Sequence, residues 1–169
     1  MSIVEARDEE DLRQARQLLA EYFALLADHL ATLGLDLAAT RRQEVASLPG
    51  EYAPPGGRLL LARHDGAPAG CVTLRRLDAG TCELRRLYVR PACRGAGLGR
   101  QLTLAAIAAA RAMAYARVRL NTLPSMTGAR ALYAELGFRE IPPYRSVLVP
   151  GVLHFELDLA DPPAATPGA

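Results

Sequence analysis

Between an apolar strand-like run, Leu84 to Val89, and a long Ala- and Leu-rich helical pattern stands the hexapeptide Arg94-Gly95-Ala96-Gly97-Leu98-Gly99. Glycines packed this densely impose an order of strand, tight turn and helix, because glycine enters left-handed backbone conformations without steric cost. The first N–H groups of the following helix have no partner inside it and carry the positive end of its dipole. Such a loop suits a phosphate or pyrophosphate. Spacing narrows the choice. A dinucleotide fingerprint needs G-x-G-x-x-G and an acid about 20 residues on. Here the third glycine comes one residue early, and the next strand-like run, Arg117 to Leu120, leads into Asn121. A P-loop needs a lysine to reach the terminal phosphates, and this chain contains no lysine.

The pattern around the loop is that of an α/β domain. Ile3 to Arg7 reads as a strand, followed by Asp8 as helix N-cap and Asp11 in the first turn. Apolar residues from Leu12 to Leu30 recur at three- and four-residue spacing, as one helix or as two with a bend, and Gly34 stops them. Thr40 to Leu48 suits a short helix, and Pro49 to Gly57 is a loop. Arg58 to His64 and Pro68 to Leu77 read as a hairpin turning at Asp65-Gly66-Ala67, and Asp78-Ala79-Gly80 leads into a strand over Thr81 to Val89. In that strand Leu84 and Leu87 are three apart but Leu87 and Val89 two apart, a phase slip that a β-bulge near Arg85-Arg86 would repair. A helix over Gly97 to Met113, a strand over Arg117 to Asn121, a helix over Met126 to Leu136 and a strand over Val152 to Asp158 complete the domain. Residues 1–159 form one domain in this reading, and 160–169, small and Pro-rich, a disordered tail.

A chain of 169 residues that is 50% hydrophobic can fill a single core. Its formal charge of +2 and short arginine pairs argue against a nucleic-acid groove. Without a run of about 20 apolar residues or an apolar leader after Met1, the expectation is a cytoplasmic protein with no membrane partner. Cys71, Cys82 and Cys93 lack C-x-x-C spacing and do not cluster with His29, His64 or His154, so they are read as reduced thiols and not as metal ligands.

The loop resembles the acyl-CoA pyrophosphate loop of the GCN5-related N-acetyltransferase (GNAT) family: Gln or Arg, two residues, Gly, one residue, then Gly or Ala. The resemblance continues upstream through Glu83-Leu84-Arg85-Arg86-Leu87-Tyr88-Val89-Arg90-Pro91 and downstream to Ala131-Leu132-Tyr133-Ala134-Glu135-Leu136-Gly137-Phe138. It implies a mixed, mostly antiparallel sheet of six to seven strands flanked by helices, with the fourth and fifth strands splayed around the pantetheine arm. It implies an N-acetyltransferase moving the acetyl group of acetyl-CoA directly to a primary amine of a small molecule or peptide. Dimers are common in the family, so a homodimer is compatible with the resemblance.

By the same resemblance, the backbone of Arg94, Gly95, Ala96, Gly97, Leu98 and Gly99 would hold the pyrophosphate, and that of Leu87, Tyr88 and Val89 the pantetheine and acyl oxygen. Tyr133 would protonate the leaving thiolate, since a phenol titrates near 10. Glu83, 11 residues before Arg94, matches the family's general base, and could equally sit opposite Arg75 as a cross-strand ion pair. Where many members carry a cofactor-contacting Asn the chain has Met126, leaving that contact to Asn121, Ser125 or Thr127. Tyr22, Phe23, His29, Tyr144 and Arg145 are candidates for the acceptor side, Arg145 suiting a carboxylate. Two rivals share the loop: a non-catalytic acyl-CoA-binding module, and a transferase of longer acyl groups on the same fold.

Overall fold

The computed structural model describes residues 1–147 and 149–160. Its elements run β1 (Ser2–Glu5), α1 (Glu9–Thr32), α2 (Ala38–Ala46), β2 (Arg58–His64), β3 (Ala67–Arg76), β4 (Thr81–Val89), α3 (Leu98–Ala112), β5 (Arg117–Thr122), α4 (Thr127–Glu135), β6 (Arg139–Ile141) and β7 (Leu153–Asp158). The strands form a seven-stranded sheet in the order β1-β2-β3-β4-β5-β7-β6, antiparallel except where β4 meets β5. Asp8 caps α1 by accepting the Asp11 N–H at 2.8 Å. The helix runs unbroken to Thr32, with Gly34 beyond it at φ 68°. The expected tail from Asp161 onward lies outside the described residues, and three-residue β6 was not foreseen.

Alternation along the strands divides the core into two layers. Leu60 and Ala62 of β2 join Leu98, Leu102 and Ala106 of α3 on one face, while Leu59 and Leu61 join Ala15, Leu18 and Leu19 of α1 on the other. The expected bulge is present in β4. Thr73 faces Arg85 and Cys71 faces Tyr88, so Arg86 and Leu87 stand against Val72 alone, and Arg86 has φ 56°. The extra residue inverts the phase. Before it Leu84 points into the α3 layer; after it Tyr88 points into the α1 layer, and Leu87 and Val89 turn toward α3.

Beside the bulge the backbones of β3 and β4 are too close for a side chain. A Cβ on Gly70 would stand 2.5 Å from the Tyr88 carbonyl oxygen. Gly70→Ala should therefore push β4 outward and destabilise the fold by about 1–3 kcal/mol, the usual range for overpacking a tight interior. Chemical denaturation checks this, and an unchanged midpoint would contradict it.

Candidate active site

The glycine loop is built as its composition requires. Gly95 and Gly97 have φ of 84° and 74°, in the left-handed region, and Gly97 is the N-cap of α3 with no side chain to satisfy the helix amides. The amides of Gly95 through Arg100 reach no acceptor among the described residues. The Arg94 amide differs from them, donating to the Pro91 carbonyl at 3.2 Å, and its Nε donates to the Val89 carbonyl at 3.1 Å. A Cβ on Gly95 or Gly97 would meet nothing within 4 Å, so an anion can approach the free amides from open space.

Next to the loop the sheet opens. β4 and β5 pair only from Thr81↔Arg117 to Glu83↔Arg119, which leaves the β5-facing edge of β4 from Leu84 onward without a strand partner. A cleft of about 160 Å³ adjoins this opening. Its walls are Leu84 to Leu87 of β4, Asn121, Thr122 and Leu123 at the end of β5, and Met126, Ala129 and Tyr133 around α4. α1 adds Tyr22, Leu26, His29 and Leu30, α2 adds Arg41, and Val149 and Val152 come from the segment before β7. Tyr22, His29, Leu87, Asn121 and Tyr133, five residues named from sequence on four separate elements, thus meet in one place. Of the polar residues offered in place of the family asparagine, Asn121 reaches the wall; Met126 is there itself, its Sδ 3.5 Å from the Thr122 hydroxyl.

Tyr133 is 5% exposed, with its ring packed on Phe138 and Phe155 at centroid distances of 5.6 and 6.5 Å. Its hydroxyl has no hydrogen bond among the described residues. Burial, with Tyr22 nearby, pushes the phenol above its ordinary range, so it holds its proton at neutral pH.

Glu83 is fully buried at the apex of the splay. It accepts hydrogen bonds from Arg75 Nε at 2.7 Å, Tyr144 hydroxyl at 2.6 Å and Arg145 Nε at 2.8 Å, with Arg85 Nε at 3.7 Å. Burial alone would raise its pKa. The Tyr144 hydrogen bond and the charges of Arg75, Arg145 and Arg85 overcome that and hold it below the usual carboxylate range. This is the cross-strand pairing with Arg75, extended by two partners from the segment after β6, and it leaves a carboxylate with little affinity for a further proton. Tyr144 and Arg145 are accordingly engaged with Glu83 and absent from the cleft wall, while Phe23 lies beneath two guanidinium groups, Arg41 and Arg86, each 4.9 Å from its ring centroid. Tyr88 packs under α1, its hydroxyl 3.3 Å from Glu21, so only its backbone faces the opening.

Arg41, Arg85 and Arg86 were not singled out from sequence, where paired arginines read as solvated surface. The bulge turns Arg86 inward to a two-point bond with Glu44 at 2.8 and 2.7 Å, a contact 42 residues distant along the chain. Cysteine is absent from the cleft wall. Cys71 and Cys82 are buried, and burial pushes both thiols up to about 12.

Asp11, Glu21, Glu44 and Glu83 all titrate below their ordinary values because of hydrogen bonds and arginine charges. A carboxylate depressed in the folded state contributes stability above its unfolded pKa and loses it as pH falls through the folded one. Stability should therefore fall steeply below about pH 4.5, after a shallower loss as pH drops through about 6.5, where buried His154, its pKa lowered by burial, resists the proton that the unfolded chain takes up. Thermal unfolding across that range checks the slope, which Glu83→Gln should reduce; an acid-insensitive midpoint would contradict the account.

A family model described as the acetyltransferase (GNAT) family matches residues 14–138. An uncharacterized N-acetyltransferase of Schizosaccharomyces pombe is 33% identical over 147 residues, covering 85% of this chain and 90% of that protein. One from Escherichia coli is 34% identical over 132 residues, covering 76% and 74%. In fold, the chain is similar to a GNAT-family acetyltransferase of Staphylococcus aureus, with a TM-score of 0.73 at 18% identity over 94% of this chain and 98% of that one. It is also similar to the PaiA N-acetyltransferase of Thermoplasma acidophilum in complex with coenzyme A, with a TM-score of 0.68 at 19% identity over 94% and 99%. No helix among the described residues is long and apolar enough to cross a membrane, and no group of three or more His, Cys, Asp or Glu there could hold a metal.

Proposed function

The chain belongs to the acetyltransferase (GNAT) family, and on that premise we propose that it transfers the acetyl group of acetyl-CoA directly to a primary amine. The observation that carries this reading is the convergence of three features on one opening: the free amides of Gly95 to Arg100, the unpaired edge of β4, and the protonated phenol of Tyr133. The amides would bind the pyrophosphate and β4 would hold the pantetheine arm, its thioester reaching the cleft at Leu87.

The amine nitrogen attacks the thioester carbonyl and a C–N bond forms. Negative charge moves onto the carbonyl oxygen, where fixed main-chain donors of β4 stabilise it without reorganising. The C–S bond then breaks, and Tyr133 gives its proton to the departing thiolate. The proton lost by the amine returns through water to Tyr133. Among the described residues the cleft wall offers no carboxylate to hold an ammonium ion, and Arg85 and Arg86 are already paired with Glu51 and Glu44, so partial burial of the cleft favours the neutral amine there. Desolvation thus favours the neutral nucleophile, and Glu83, held ionised by its arginines, acts by fixing Tyr144 and Arg145 rather than by taking the proton. The absence of cysteine from the wall among the described residues supports direct attack over a thiol relay.

The test is release of free thiol from acetyl-CoA across polyamines, amino acids, aminoglycosides and peptide N-termini. The expected result is amine-dependent release with at least one class. Tight acetyl-CoA binding with no release across the panel would favour a non-catalytic binding module instead.

A further inference from the structure

The three arginines of the cleft are not equivalent. Arg86 is neutralised by Glu44 through two hydrogen bonds. Arg85 is bonded to Glu51 at 2.7 Å and lies 3.7 Å from Glu83. Arg41 has no acidic partner within ion-pairing distance among the described residues. Its one hydrogen bond is to the Phe23 carbonyl at 3.4 Å, and its guanidinium lies over the Phe23 ring, 4.9 Å from the centroid. Burial, and then the charge of Arg86, make this cation less favourable than a solvated one. Glu44, three residues on, offsets this only in part because its carboxylate is bonded to Arg86, so a half-buried guanidinium beside a like charge and with no acid in direct contact is stabilised by an anion that reaches it.

Two observations identify that anion as part of the acceptor. Arg41 belongs to α2, whose Val45 packs with α1 against the sheet face opposite α3, so it is not on the side of the pyrophosphate loop. It also lines two adjoining spaces, the cleft that holds Tyr133 and an apolar groove of about 680 Å³ between α1 and α2. The groove is walled by residues such as Phe23, Ala27, Leu35 and Val45. An acceptor with its amine in the cleft would place a neighbouring charge at Arg41 and an apolar body in the groove.

Resting on the acetyl-transfer reading, we propose that the acceptor is an apolar amino acid, an amine that carries a carboxylate, and that Arg41 is the residue that recognises the carboxylate. A planar guanidinium matches a carboxylate through two parallel N–H donors. Arg145, the earlier candidate for this role, is already bonded to Glu83. A polyamine would bring further positive charge to Arg41, with Asp36 of the groove the one acid among the described wall residues, and should be the weaker acceptor.

The experiment compares kcat/KM for thiol release with phenylalanine, phenylalaninamide, phenethylamine and putrescine, for the unmodified protein, Arg41→Gln and Arg41→Lys. Phenylalanine should exceed phenylalaninamide and phenethylamine roughly ten- to hundredfold, the value of a charge-assisted hydrogen bond. The ratio should collapse toward one in Arg41→Gln and be partly kept in Arg41→Lys, which retains the charge without the fork. Acetylation with no preference for the carboxylate would overturn the proposal, and so would a preference that survives in Arg41→Gln. Calorimetric titration of phenylalanine into the CoA-bound protein separates this from the underlying reading. Binding that is lost in Arg41→Gln supports carboxylate recognition even if no acetyl is transferred, and no binding overturns it.

Discussion

Gly97→Val should abolish detectable acetyl-CoA binding, raising Kd by more than about a hundredfold, while the protein still folds. Two effects combine at this position. Gly97 has φ 74°, a conformation that a β-branched residue adopts only with strain of about 1–3 kcal/mol. Its Cβ position is also open, with no atom within 4 Å, and that open space is the approach to the free amides of Leu98 and Gly99. A side chain placed there fits the ligand-free protein but keeps a phosphate from hydrogen-bonding distance. Gly66→Val separates the two effects. Gly66 has φ 80° and an equally open Cβ position, but lies in the β2–β3 turn away from the cleft, so it carries the strain without the obstruction. Calorimetric titration of both variants should show binding lost in the first and kept in the second. Normal affinity in Gly97→Val would remove the loop as the pyrophosphate site.

Tyr133→Phe should lower kcat by about 10²–10⁴-fold, the range for removing a positioned acid, with acetyl-CoA affinity nearly unchanged. The ring is held by Phe138 and Phe155, and phenylalanine keeps those contacts. The hydroxyl forms no hydrogen bond among the described residues, so its removal leaves no buried partner unsatisfied and should not lower stability. The loss should appear in turnover and not in folding or binding. The elevated phenol pKa sets the expected pH profile: no loss of acid function between pH 7 and 9, because Tyr133 stays protonated throughout. An unchanged kcat in Tyr133→Phe would remove it as the acid.

What could be read in advance followed distances along the chain. The Gly95–Gly99 loop, the Asp8 cap, the hairpin turn at Asp65-Gly66 and the β4 bulge are local events, each decided by a few neighbouring residues. Asp65 at φ 51° and Gly66 at φ 80° occupy the left-handed region that such a turn requires. The phase slip between Leu84 and Val89 was legible because side chains alternate strictly along a strand, so one extra residue shows in the apolar pattern. β6 escaped because three residues are too few to establish a period, and its place is set by pairing with β7.

The partners of Glu83 escaped for a different reason. Tyr144 and Arg145 lie 61 and 62 residues away, and nothing local distinguishes an arginine that reaches a buried carboxylate from one that faces solvent. Spacing from the glycine loop made Glu83 a candidate base, and only its three-dimensional surroundings show that its charge is already balanced. Arg41 is the converse case. Adjacent to Arg42 in sequence it reads as surface, and folding places it between two cavities with no acid within ion-pairing distance among the described residues.

The central claim, direct transfer of acetyl from acetyl-CoA to an amine, is tested most directly with a donor labelled at the acetyl carbonyl. After reaction with an accepted amine, product and protein are analysed together by mass spectrometry. The account predicts one labelled amide on the acceptor for each free thiol released, with no labelled acetyl group on the protein at any time. Thiol released without labelled amide, or label carried on the protein before it reaches the amine, would contradict it.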